Sequence, residues 1–106
     1  MEHREYFPDE ERRVRSKLTQ IISQRGFIRA GIVKMTRRCG KASCWCAQAK
    51  GHVSYYLSMR EGRKRMMIYI PGSMEVKVRE WVKNYKEVNK GIDRITAYRL
   101  KQIRKR

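Results

Sequence analysis

The sequence predicts an α+β domain: an N-terminal helix, a small three-stranded antiparallel sheet with a cysteine-rich loop between strands 1 and 2, and a long C-terminal helix. Three observations predict it. Apolar residues recur at helical spacing near both ends of the chain, strict alternation about a glycine-containing turn marks a hairpin over 53–70, and all three cysteines cluster in an aperiodic stretch just before that hairpin.

The first element follows Phe7-Pro8. Asp9, Glu10 and Glu11 place negative charge where a helix N-terminus favours it, and Val14, Leu18, Ile21 and Ile22 make one apolar stripe on an otherwise basic helix over 9–25. Gly26 is placed to end that helix in a left-handed conformation. Residues 27–36 favour a strand through Phe27, Ile28, Ile32, Val33 and Met35, with Gly31 suggesting a bulge or a close backbone approach.

Residues 37–52 have no periodicity and read as a compact loop. Beyond it Val53, Tyr55, Leu57 and Met59 alternate with Ser54, Tyr56, Ser58 and Arg60. Glu61-Gly62 turns the chain, Met66, Ile68 and Ile70 alternate with Arg65, Met67 and Tyr69, and Pro71-Gly72 stops the return strand. Ser73 is the expected cap of a helix over 73–104, in which Val78, Trp81, Tyr85, Val88, Ile92 and Ile95 form a stripe at spacings of three and four. That stripe either covers the sheet or, in its distal half, pairs with a second copy. Gly91 marks a candidate kink.

The chain has 106 residues, enough for a single small domain, and at 41% hydrophobic it is a folding sequence rather than a disordered tail. Twenty-seven Lys and Arg face ten Asp and Glu, a formal net charge of +17. Self-repulsion on that scale favours a polyanionic partner, and lysines and arginines that neutralise phosphates release condensed counterions. An anionic membrane surface or an acidic protein would satisfy the same charge. No apolar run approaches the roughly 20 residues that span a bilayer, and Met1–Glu5 lacks the apolar core of a signal peptide, so the expectation is a cytoplasmic protein without a membrane partner.

Three cysteines within eight residues argue against a disulfide framework and for a shared metal or a reactive thiol. Cys39-x4-Cys44-x-Cys46-x5-His52 offers three thiolates and an imidazole, the donor set of a tetrahedral structural zinc site. Arg37, Arg38 and Lys41 around the loop favour the thiolate form. Of the two histidines, His3 lies near the terminus, which leaves His52 as the fourth ligand. Independent thiols, a redox-sensing cluster and an iron–sulfur centre are the other readings of the same cysteines. Four protein ligands would close the zinc shell, and no clustered carboxylates, nucleophile–base pair or glycine-rich phosphate loop accompanies them. The zinc is therefore expected to be structural and the protein not an enzyme, with no catalytic residues.

A basic and aromatic surface is the remaining candidate. Trp45, beside Arg37, Arg38, Lys41, Lys50 and the outward Tyr56, either stacks on a base or caps the small core beneath the loop. Arg60, Arg63, Lys64 and Arg65 crowd the hairpin tip, where a two-stranded ribbon can grip a phosphate backbone. Arg99, Lys101 and Arg104 add charge at the end of the last helix.

The run Arg38-Cys39-Gly40-Lys41, then Cys44-x-Cys46-Ala47, His52 and Tyr55-Tyr56-Leu57-Ser58 resembles a family of small bacterial and archaeal proteins often found in mobile-element or viral gene neighbourhoods. Tyr69-Ile70-Pro71 and Arg79-Glu80-Trp81-Val82-Lys83-Asn84-Tyr85 extend the likeness, which covers about residues 31–100. This chain has Val53-Ser54 where the family usually has Gly-Pro after the histidine. The resemblance implies a metal knuckle, a hairpin and a long helix, and no particular activity.

Together these readings predict a non-enzymatic zinc protein that binds DNA or RNA through backbone contacts, with low sequence specificity or as an accessory to a larger machine. The alternative is a protein-interaction module that meets an acidic partner through its basic surface, or forms a homodimer or larger assembly through the 78–95 stripe.

Overall fold

The computed structural model describes residues 6–37 and 51–105. Its elements are α1 (Asp9–Gln24), β1 (Gly31–Arg37), β2 (His52–Glu61), β3 (Lys64–Tyr69) and α2 (Glu75–Arg104). The strands form one antiparallel sheet in the order β1-β2-β3, so the architecture is the expected α+β arrangement of helix, three-stranded sheet and long helix. Two compact units divide the chain. One is Ile28–Val82, and the other joins the chain up to Phe27 to the chain from Lys83 onward.

In the sheet unit, alternation does the sorting. Ile32 pairs with Leu57 and Leu57 with Ile68, which places these side chains on one face. Leu57, Ile70, Val78 and Val82 form the buried core, with Ile28, Ala30, Ile32, Tyr55, Met74 and Trp81 packed around it. The first turns of α2 therefore cover the Ile32–Leu57 face. Each fully buried aliphatic side chain is worth roughly 1.5–3 kcal/mol, so this small cluster is the main apolar stabilisation of the unit. The Arg79 guanidinium lies 4.7 Å over the Tyr55 ring and also reaches Glu75 at 3.1 Å.

The hairpin closes through Gly62-Arg63. Gly62 has φ 63°, and no non-glycine among the described residues has positive φ, so the first central position alone is left-handed, the sign pattern of a type II′ turn.

Three sequence expectations in this unit are corrected. The first strand begins at Gly31 rather than at 27, because the Ile28 amide donates to the Trp81 carbonyl at 3.2 Å instead of joining a ladder. Gly31 makes no bulge: the register runs unbroken from Gly31 opposite Ser58 to Arg37 opposite His52. Ser73 does not cap α2. It sits inside a 3-10 turn, Gly72–Met74, that starts on Pro71 and feeds into the helix at Glu75.

In the helical unit, α1 packs against the distal part of α2. The buried side of α1 carries Glu11 and Ile21, with Val14 and Leu18 half-buried, while Ile22 is exposed. The stripe is thus rotated from the one the apolar residues suggest, because an acid replaces an isoleucine on the packed face. Gly26 does not end α1 in a left-handed conformation. Arg25 closes the helix in an extended conformation, φ −127° and ψ 142°, and the Gly26 carbonyl accepts a hydrogen bond from Asn84 Nδ2 at 2.8 Å.

Along α2, Val78, Val82, Asn84, Val88 and Gly91 are buried, whereas Ile92 is half exposed. Gly91 does not interrupt the 30-residue helix. It is a notch: a Cβ there would lie 2.5 Å from Leu18 Cδ2 and 2.8 Å from Leu18 Cγ. The glycine that reads as a kink is a place of close approach to Leu18 of α1.

Candidate nucleic-acid interface

The sheet has a second face, opposite the one covered by the first turns of α2. Val33 pairs with Tyr56 and Tyr56 with Tyr69, which makes a row of three across the sheet. Beside it lies the row Gly31, Ser58 and Met67, and nearer the turn Arg60 stands opposite Arg65. On the other side the face continues with Met35 opposite Ser54 and then Arg37 opposite His52. Lys64 and Glu61 fall on the opposite parity, so no carboxylate shares this face among the described residues.

The Tyr56 and Tyr69 rings meet edge to face, with centroids 5.7 Å apart and planes at 70°. Tyr69 is 55% exposed, Met67 45% and Met35 38%. An exposed sheet face normally carries polar side chains, so an aromatic pair with two methionines there is unusual.

Charge on the face is equally one-sided. Like charges directly opposite on a sheet destabilise it, yet Arg60 faces Arg65, and neither has a carboxylate partner among the described residues. Arg63 and Lys64 are also exposed at the tip.

His52 is half-buried at the first position of β2, opposite Arg37 at the last position of β1. Gly51, just before it, is buried with φ 109°, a conformation open to glycine and closed to most other residues. The segment bearing the cysteines thus leaves and rejoins the sheet at neighbouring positions. Cys39, Cys44 and Cys46 lie outside the described residues, as do Arg38, Lys41, Trp45 and Lys50. Among the described residues no group of three or more metal-binding side chains assembles.

The remaining candidates sit on α2. Arg99 is paired with Glu11, which is fully buried and also accepts from Arg15 Nε at 2.9 Å. The Arg15 and Arg99 guanidinium groups stack over the Phe7 ring at 3.8 and 5.4 Å. Arg99 is thereby tied to α1, while Lys101 and Arg104 are exposed in the last turns. The structure brings Tyr56, Arg60 and Arg65 to one face, with Arg63 and Lys64 at the adjoining tip.

Sequence reasoning singled out Tyr56 and missed its partner Tyr69. A signal was present. A two-residue turn at Gly62-Arg63 fixes Glu61 opposite Lys64, and counting back along both strands sets Tyr56 against Tyr69.

Residues 7–80 match the family described as a domain of unknown function, DUF6788, and the chain belongs to that family. The matched stretch takes in α1, the sheet and the first turns of α2. No curated protein and no solved structure matches the chain.

Proposed function

We infer that this protein binds nucleic acid through phosphate contacts, is stabilised by one structural zinc ion, and catalyses no reaction. The observation that carries the reading is the hairpin tip. Arg60, Arg63, Lys64 and Arg65 are all exposed about the Gly62 turn, on a chain of net charge +17. A narrow two-stranded tip with such charge can follow a phosphate backbone, and its counterion release does not depend on sequence.

Cys39, Cys44, Cys46 and His52 would hold the zinc. Their chemistry fits a closed four-donor shell, and the pairing of Arg37 with His52 brings the two ends of the cysteine segment together. When bound, the metal would contribute folding energy rather than chemistry.

The test is binding of the full chain to labelled duplex DNA, single-stranded DNA and structured RNA over a range of salt. The reading requires affinity that falls linearly on a log–log plot against salt. A salt-insensitive interaction would remove it.

A second reading has its own support. Ile92, Leu100 and Ile103 are exposed at 50%, 43% and 65% and lie on one side of α2, which suits a partner helix or a second copy. A concentration-independent monomer in light scattering would argue against the second copy.

A further inference from the structure

We propose that the open face of the sheet is a stacking site for the bases of an unpaired nucleic-acid strand, with Tyr56 and Tyr69 as the platform and Arg60 and Arg65 as the phosphate contacts. This rests on the nucleic-acid reading above and narrows it to one class of ligand.

The two arginines identify an anion. They oppose each other across β2 and β3 without a carboxylate on the face, an arrangement that self-repels until negative charge lies over it. The tyrosines identify planar groups. Tyr69 exposes more than half of its surface, and the half-buried Tyr56 meets it edge to face rather than stacked, so the contact leaves ring surface open to a planar group. A ligand that is anionic along its length and carries aromatic planes at intervals satisfies both.

Shape separates unpaired from paired strands. The row beside the tyrosines begins with Gly31 and Ser58, so the face is low there and open to a flat group. A duplex keeps its base faces inside the stack, and its major groove admits a helix or a two-stranded ribbon, not the broad face of a three-stranded sheet. Bases of a single strand can splay out onto the rings.

The probes are a labelled oligothymidylate and an abasic phosphodiester chain of the same length and charge, titrated into the full chain at fixed salt. The oligothymidylate should bind roughly five- to a hundred-fold more tightly, the range expected when bases stack on aromatic side chains. Tyr69→Ala should remove most of that ratio, and Tyr69→Phe should keep it, since the ring rather than the hydroxyl does the stacking. Arg60→Ala should weaken both probes alike.

Equal affinity for the two probes overturns the stacking site while leaving the nucleic-acid reading intact. Binding of neither probe at low salt overturns the stacking site, and the nucleic-acid reading falls with it only if duplex DNA and structured RNA also fail to bind. The comparison on the unmutated chain decides the question even if a tyrosine variant fails to fold. An undiminished ratio in a folded Tyr69→Ala protein would also overturn the assignment.

Discussion

Arg99 near the end of α2 donates to the carboxylate of Glu11 in the first turn of α1, joining residues 88 positions apart in the chain. Glu11 is the one fully buried charged side chain among the described residues, and Arg15 holds its second oxygen at 2.9 Å. Both guanidinium groups rest on Phe7, so the cluster joins the start of the described chain to α2.

Removing one partner of a buried pair leaves the other charge uncompensated. Glu11→Ala should lower stability by about 3–5 kcal/mol in urea unfolding. Lys17 and Glu87 also join α1 to α2, at 3.4 Å, but both are well exposed. Lys17→Ala should therefore change stability by less than about 1 kcal/mol. Similar losses for the two variants would contradict the reading of Glu11 as the anchor.

The contact of Leu18 with Gly91 predicts a reversal of sign. Gly91→Ala should destabilise the native chain by about 1–2 kcal/mol, because the new methyl overpacks Leu18. In a Leu18→Ala background the same change should stabilise by up to about 1 kcal/mol, the ordinary helix preference of alanine over glycine. A double-mutant cycle by thermal or urea melting reads the coupling directly. The same sign in both backgrounds would mean that the close approach does not govern this position.

At the hairpin tip the turn geometry makes its own demand. Gly62→Val should cost about 1–2 kcal/mol, since a β-branched residue resists the positive φ, and Gly62→Asn should cost distinctly less. Thermal melts of the two variants compare them.

For the proposed phosphate contacts, replacing Arg63 by alanine should reduce the magnitude of the log–log salt slope by about 1 and weaken binding evenly across nucleic-acid sequences. Arg63 lies in the turn itself and is exposed, so the fold should be unaffected. A slope unchanged within error would place the contacts elsewhere.

Zinc makes a stoichiometric prediction. Metal analysis of the purified chain should find about one zinc per molecule, and Cys44→Ser or His52→Ala should weaken its retention and lower the melting temperature. Chelation should lower the melting temperature of the unmutated chain in the same direction. Full occupancy in both variants would exclude the four-ligand set.

Much of the fold was legible because the signals that carry it are local. The hairpin follows from period-two alternation about Gly62, α1 from its acidic first turn after Pro8, and α2 from its long apolar recurrence. The cysteine motif and the net charge are likewise properties of the chain itself, and they determine the candidate metal ligands and the kind of partner to seek.

Tertiary structure decided what each face meets. No local pattern marks Glu11 for burial, because its partner Arg99 lies at the far end of the chain, and burial of a carboxylate is tolerable only once that partner is in place. Phe27 and Ile28 have strand-forming side chains, yet the Ile28 amide is claimed by the Trp81 carbonyl, so propensity yields to a long-range hydrogen bond. Gly91 becomes a notch only when Leu18 arrives, and Tyr56 becomes half of an aromatic pair only when β3 sets Tyr69 beside it. In each case the sequence determines which groups are available, and the packing of distant segments determines what those groups touch.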